Sequence, residues 1–176
     1  AMPLFSSPNR STCLSALSLL ASCWFISAQA QDGATQNGAA QNSSKLAPEF
    51  LQLPGSRDDL PFSDAVRVGP WLFLSGKIGN LPGTRDLAPG GIQGETRQAM
   101  ENIRHSLEQH GASLDQVVKC SVFLADMAEW GAMNEVYVSF FPKHRPARSA
   151  LGASGLALNA RVEIECMAVM PEVAAK

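Results

Sequence analysis

The sequence lacks the short motifs by which most metal, nucleotide and nucleophile sites are identified. Its 176 residues contain no CxxC and no HExxH, so no zinc site is indicated. Its glycines form no GxGxxG, and Ser75-Gly76 lacks the flanking glycines of a nucleophile elbow. The three histidines have no spacing typical of a triad or a metal cluster, which favours surface or capping roles for them.

Charge is also scarce, at 17% of the residues, and the formal net charge is -2. The chain has no basic run and no aromatic residue interleaved with Lys or Arg, so nothing indicates a nucleic-acid partner. The charge pattern gives no indication of membrane-surface binding either. Hydrophobic residues make up 45%, which is enough to build the core of one domain.

The first thirty residues differ in composition from the rest of the chain. Their one charged residue is Arg10, an apolar stretch follows, and Ala28-Gln29-Ala30 ends it. This pattern predicts a signal peptide over residues 1–30 and export, most simply to the periplasm. Lipoprotein processing at Cys23 is the lower-ranked alternative.

Two cysteines, Cys120 and Cys166, follow the predicted cleavage point. An exported protein can pair them as a disulfide. Both lie in apolar, strand-like runs, so buried free thiols fit the sequence at least as well. The choice depends on the distance between their Cα atoms, and the sequence leaves it open.

The rest of the chain reads as a linker, one domain and a short tail. Residues 31–50 are rich in Gln, Asn, Ala, Ser and Gly and bury too little apolar surface to offset the entropy of ordering, so they predict a flexible linker. The domain is predicted over residues 51–171, and residues 172–176 form the tail.

Hydrophobic periodicity predicts the order β-β-α-β-α-β-β within the domain. The predicted strands cover 65–68, 71–75, 117–124, 147–153 and 161–169; one helix covers 94–110, and a second is capped by Asp126 and ends at Pro142. In the strand 117–124, Val118, Cys120, Val122 and Leu124 are expected on one face. Helices on one face of the sheet make an α+β sandwich, whose other face self-association would cover.

Arg148 is the first candidate for chemistry. It follows Pro146 at the edge of a predicted strand, where a guanidinium can hold a carboxylate through two hydrogen bonds. The alternative is an ordinary solvated arginine.

Glu163 and Glu165 form the second candidate. With period two they share a strand face with Met167 and Val169, which predicts a half-buried polar cleft and a role as acid or base. The alternative is that both face solvent or pair with arginine. Asn134 interrupts the apolar stripe of the second helix and needs a polar partner, from another chain or a ligand.

Seven stretches, taken together and in this order, resemble the reactive-intermediate deaminase (RidA-like) family over nearly the whole domain. They are PFSDAV at 61–66, LSGKI at 74–78, TRQAMENI at 96–103, VVKCSVFL at 117–124, MNEVY at 133–137 with FF at 140–141, PARS at 146–149, and VEIE at 162–165.

The resemblance implies a chorismate-mutase-like fold assembled as a homotrimer, with active sites between subunits. It implies hydrolysis of 2-aminoacrylate or a related imino acid to a keto acid and ammonia. Arg148 would hold the carboxylate and Glu163 would position water. Phe62, Ser75, Gly76, Asn134 and Ala150 would line the pocket. No cofactor is expected, because an imine carbon is already electrophilic.

The chain departs from the family pattern at two pocket positions. Phe62 stands where well-studied members have tyrosine, and Ala150 stands where many have cysteine. A lost hydroxyl can change substrate or rate. Two other functions therefore stay open: a trimer that binds a small carboxylate without turnover, and a holdase-like chaperone that acts through apolar surface.

Overall fold

The computed structural model describes residues 46–55 and 60–170. The predicted signal peptide, Cys23 and the tail lie outside the described residues, as does most of the predicted linker. Two helices and one mixed sheet confirm the predicted α+β class. The strands are β1 Pro48–Leu51, β2 Ala65–Val68, β3 Trp71–Leu74, β4 Lys77–Ile78, β5 Val117–Leu124, β6 Ala147–Gly152 and β7 Val162–Val169; the helices are α1 Gly91–Gln109 and α2 Trp130–Ser139.

The sheet has the spatial order β1-β2-β3-β7-β5-β6, and β4 pairs with the first half of β7. Neighbouring strands are antiparallel except β5 and β6, which are parallel. A parallel pair requires a crossover connection, and α2 provides it. Because β7 lies between β3, β4 and β5, it is the central strand of the sheet.

Two strands lie where the sequence predicts linker or loop. β1 begins at Pro48, so the predicted linker over 31–50 ends too late. β1 is an edge strand whose side chains are largely exposed, and its backbone pairing with β2 leaves no signal in composition. β4, inside the predicted loop from Lys77 to Gly91, is too short to show alternation.

Alternation along β7 is as predicted. Val162, Ile164, Cys166 and Ala168 are buried against the helices, and the residues between them point to the opposite face. This opposite face, which neither helix covers, is called the open face below.

The predicted face of β5 is wrong at one position. A β-bulge between Val117 and Lys119 inserts an extra residue, so Val117 is buried and Val118 is 40% exposed. Cys120, Val122 and Leu124 face the helices as expected.

α1 has its predicted apolar stripe, and α2 buries Met133 and Tyr137 of the stripe predicted for it. The predicted end of α2 at Pro142 is wrong, because the helix ends at Ser139. α1 begins at Gly91, three residues before the predicted start, and is followed by Gly111 at φ 79. The Asp126 carboxylate accepts a hydrogen bond from the Ala128 amide, and the short turn that it caps leads into α2. Neither helix is long and apolar enough to cross a membrane.

The open face carries an apolar row across four strands. Phe50, Val66, Phe73 and Met167 are successive cross-strand neighbours on β1, β2, β3 and β7. Phe50 is 70% exposed and Phe73 is 37% exposed. Two exposed aromatic side chains in one apolar row are unusual for a monomer and typical of an interface.

Cys120 and Cys166 form a disulfide between β5 and β7. The two residues are direct cross-strand neighbours, and both are fully buried against the helices. The sequence could not bring these positions together, because they lie 46 residues apart.

Replacing both cysteines with alanine should lower the free energy of unfolding by about 2–4 kcal/mol, since the bridge restricts the unfolded chain. Denaturant unfolding followed by circular dichroism measures the change. Adding reductant to the unfolding wild-type protein is the matched control and should move its midpoint toward that of the variant. Equal midpoints with and without reductant would contradict a stabilising bridge.

A buried carboxylate joins β2, β4 and α1. Asp64 is 6% exposed, and its oxygens accept hydrogen bonds from the Lys77 ammonium, the Ser106 hydroxyl and His110 Nε2, the last at 2.8 Å. Burial raises the pKa of Asp64, but the bonds from Lys77, Ser106 and His110 together outweigh it. The pKa is therefore lowered from 3.8.

A lowered folded-state pKa makes Asp64 stabilising above its unfolded value of 3.8. This contribution should disappear as the pH falls below that value and Asp64 protonates in the folded protein as well. Asp64→Asn should therefore lower stability at pH 7 and lose less than wild type on acidification to pH 3. Unfolding free energies at the two pH values test this, and parallel acid dependence of the two proteins would refute it.

Candidate functional site

Arg148 is held against aromatic rings on the helix-covered face of the sheet. It lies on β6 beside Cys120 of β5, which places its side chain under α2. Its guanidinium carbon is 4.7 Å from the centre of the Tyr137 ring and 6.0 Å from that of Trp130. Cation–π contacts of this kind fix a guanidinium while leaving its N–H groups free to bind an anion.

Tyr137 contacts Arg148 through its aromatic ring, and its hydroxyl stays protonated at neutral pH. Burial raises its pKa to about 12, although the neighbouring Arg148 acts in the opposite direction. Its buried hydroxyl has no hydrogen-bond partner among the described residues. No local pattern in the sequence indicates that Arg148 would lie over Tyr137.

A cleft of about 640 Å³ opens beside Arg148. Asn134 lies in its wall, as the interrupted stripe of α2 predicts, and Arg145 and Trp130 line it too. Ala150 lies two residues beyond Arg148 on the same strand face. Glu135 also lines the cleft, where its carboxylate accepts a hydrogen bond from the Gln93 side chain. Two arginines against one glutamate leave the lining with an excess of positive charge, which suits a small anion such as a carboxylate.

Glu163 lies on the open face of β7, half-buried, with Ile78 and Phe123 as its cross-strand neighbours. Its carboxylate lies directly against Gly76, at a spot that a Cβ on that residue would occupy. Glu165, the next residue on this face, is exposed. Of the two glutamates, Glu163 is therefore the one built into a structured environment.

The other predicted residues on the Glu163 side lie in two joined segments. The Ser75 hydroxyl donates a 2.6 Å hydrogen bond to the Ser63 carbonyl, and the Ser75 amide donates to the Asp64 carbonyl. Phe62 precedes this junction and is 52% exposed.

The predicted site residues therefore fall into two groups on opposite faces of the sheet. Arg148, Asn134 and Ala150 form the arginine group on the helix side, and Glu163 lies with Gly76 on the open face. Phe62 and Ser75 lie in the two joined segments that lead to Gly76, and these four residues are called the glutamate group. One copy of the chain does not bring Arg148 and Glu163 together, because the pleat directs them to opposite sides.

Comparison with known proteins identifies the family. A family profile described as Endoribonuclease L-PSP matches residues 57–170. The chain is 40% identical over 109 residues to the 2-iminobutanoate/2-iminopropanoate deaminase of Mus musculus, covering 62% of this chain and 81% of that protein. It belongs to the reactive-intermediate deaminase (RidA-like) family.

Solved structures of this RidA-like family share the fold. RidA from the Antarctic bacterium Psychrobacter sp. is 32% identical, with a TM-score of 0.64 over 69% of this chain and 99% of that one. E. coli TdcF with bound serine is 29% identical, with a TM-score of 0.63 over 70% of this chain and 99% of that one.

Two glycines of this RidA-like chain allow a matched test of the Gly76–Glu163 contact. A Cβ on Gly76 would meet only the end of the Glu163 side chain, whereas one on Gly79 would meet the backbone of Glu95. Gly76→Ala should change the free energy of unfolding by less than about 1 kcal/mol while displacing the carboxylate. Gly79→Ala should cost at least about 2 kcal/mol, because backbone cannot give way as a side chain can.

Chemical denaturation of both variants measures these costs. The interpretation would be wrong if Gly76→Ala were as destabilising as Gly79→Ala.

Proposed function

We propose that this protein hydrolyses reactive enamine and imine intermediates, such as 2-aminoacrylate and related imino acids, to keto acids and ammonia. The observation that carries the proposal is an aromatic-held arginine that lines a cleft large enough for a small anion, at the position that the family resemblance assigns to the carboxylate-binding residue. Glu163, at the position assigned to the water-positioning residue, lies on the opposite face against Gly76. Relatives such as the mouse protein carry the name 2-iminobutanoate/2-iminopropanoate deaminase.

Arg148 is proposed to hold the substrate carboxylate. Its guanidinium is fixed by Tyr137 and Trp130 and its N–H groups can form a bidentate pair with a carboxylate. Asn134 and the backbone at Ala150 are proposed to complete the contacts on this side. The serine bound in E. coli TdcF is also a small molecule with a carboxylate.

Glu163 is proposed to position the attacking water. An enamine first gains a proton on carbon and loses one from nitrogen to give the imine, whose carbon then accepts the water oxygen. One water proton passes by way of the Glu163 carboxylate to nitrogen, which gives a tetrahedral intermediate with a hydroxyl and an amino group. The hydroxyl proton then moves to nitrogen as the carbonyl forms and the carbon–nitrogen bond breaks, which releases ammonia. Carbon, nitrogen and oxygen balance with water alone, so the step needs no redox partner.

Assembly as a homotrimer is proposed to bring the two groups together. Arg148 and Glu163 lie on opposite faces within one chain, so a site that uses both needs a second copy. The exposed apolar row from Phe50 to Met167 supplies a surface for that contact. A closed ring of three identical copies would give three equivalent sites.

Imine hydrolysis fits the site better than the RNA cleavage that the family description mentions. Glu163 and Glu165 share the open face, where two carboxylates would repel a phosphate backbone. The chain as a whole is also acidic, at -2.

Arg148→Ala should lower the rate of keto-acid and ammonia release by more than about tenfold, because it removes one partner of a charged contact. Glu163→Gln should lower kcat by about a hundredfold, because it removes the group that handles the proton. The imino acids are made in the assay by an amino-acid oxidase. Arg104→Ala, on the exposed side of α1, and Glu165→Gln are matched controls and should retain activity.

The same assay separates the second candidate function, a trimer that binds a small carboxylate without turnover. Phe62 and the serine-bound relative favour that candidate. Serine binding without keto-acid release from any imino acid would support it and overturn the enzyme proposal. Arg148→Ala should abolish binding in either case. Suppression of aggregation that persists in Arg148→Ala would point instead to the holdase.

We also propose that the chain is exported, with residues 1–30 as its signal peptide, to the periplasm or an equivalent oxidising compartment. The Cys120–Cys166 disulfide supports this, because structural disulfides persist where thiols are oxidised. Fractionation of cells that express the full chain tests it, and recovery of uncleaved protein in the cytoplasm would count against it.

A further inference from the structure

We propose that Asp64 and Lys77 are a positioning pair that holds Gly76 against the Glu163 carboxylate. Neither residue belongs to the arginine group or the glutamate group. The inference rests on the proposed function, because it assigns Glu163 a dependence on this pair for water attack.

The orientation of β4 follows from Lys77. Lys77 pairs with Ile164, a fully buried residue, so its side chain points to the helix side. There its ammonium bonds to the buried Asp64 carboxylate. Alternation then directs the residues on either side of Lys77 to the open face, where Ile78 and Gly76 flank Glu163.

β4 cannot hold this orientation by its own pairing. It has two residues, and strands this short gain little from backbone hydrogen bonds alone. The segment before it depends on the Asp64 region as well: the Ser75 amide donates to the Asp64 carbonyl at 3.0 Å, and the Ser75 hydroxyl donates to the Ser63 carbonyl. Asp64 therefore anchors the segment that places Gly76 through both its side chain and its backbone.

Asp64 is itself fixed from three directions. Ser106 and His110, both at the end of α1, bond to its second carboxylate oxygen. The Gln52 side chain accepts from the Asp64 amide at 3.2 Å and donates to the Phe62 carbonyl. The pair thus links the rigid end of α1 to the loop segments that carry Phe62 and Gly76.

The buried charges provide a way to separate positioning from folding. Asp64 is 6% exposed and the Lys77 side chain is 15% exposed, so removing one leaves the other charge buried and unpaired. Removing both leaves no unpaired charge, and such double replacements are often tolerated. Stability and catalysis should therefore respond differently to the double variant.

The test uses the full chain with Asp64→Asn and Lys77→Met combined. The double variant should unfold near the wild-type midpoint, while kcat for imino-acid hydrolysis falls about tenfold because Glu163 loses its placement. KM should change by less than about threefold, because Arg148 on the other face holds the carboxylate. Asp115→Asn with Lys143→Met removes an exposed ion pair, and this control should leave both constants unchanged.

A stable double variant with wild-type kcat overturns the inference and leaves the proposed function standing. If the double variant does not fold, Lys77→Arg replaces it: the charge is kept, but the longer side chain shifts β4. A folded Lys77→Arg protein with reduced kcat supports the pair, and unchanged kcat overturns it.

Wild-type protein without any imine hydrolysis refutes the proposed function instead. Amide hydrogen exchange at Ser75 then decides the structural part of the inference, because its amide donates to Asp64. Exchange about tenfold faster in the double variant supports the holding role of the pair. Equal exchange overturns that role.

Discussion

Alternation along the pleated strands is the constraint on which the proposed site depends. β6 directs Arg148 under α2, and β7 directs Glu163 to the open face. The disulfide between Cys120 and Cys166 fixes the register of β7 against β5, and β6 is paired with β5 on its other side. Slipping one strand by a single residue would exchange its faces and expose the core, so the separation of Arg148 from Glu163 cannot relax.

The open face also carries the apolar row described above, beside Glu163 and Glu165. A sheet with helices on one side normally presents polar residues on the other, but here Phe50 and Phe73 are exposed. If a second copy covers that face, the same contact buries the apolar row and brings a second chain to Glu163. The contact that assembles the oligomer would then also complete the catalytic site.

How much was predictable depends on whether a feature is local. The alternation of β7 is predicted correctly, because it is encoded by neighbouring residues. Asp126 is also correctly predicted as a cap, but it caps the short turn Met127–Glu129 that precedes α2 rather than α2 itself. The sequence does not predict β1 or the bulge at Val118. β1 depends on its pairing with β2, and the bulge depends on the pairing of β5 with β7.

The candidate site shows the same division. Arg148, Asn134 and Glu163 could be named from sequence because the family pattern marks them. The sequence did not show that Tyr137 would hold Arg148, or that Lys77 would reach Asp64. These contacts join residues that are far apart in the chain, and no local pattern records them.

Mixing two inactive variants tests the shared site most directly. Arg148→Ala chains and Glu163→Gln chains are unfolded together and refolded as mixed oligomers. In such an oligomer, the intact arginine of a Glu163→Gln chain can meet the intact glutamate of an Arg148→Ala chain at a shared interface. When equal amounts assemble at random, each side of a site comes from the required chain in about half of the cases, so about a quarter of the sites have both intact residues. The mixture should therefore have about a quarter of the wild-type activity. Replacing the Glu163→Gln chain with a chain that carries both Arg148→Ala and Glu163→Gln should restore none, because no chain in that mixture has an intact arginine. Mixed oligomers that contain both chains and remain inactive would contradict a site shared between subunits.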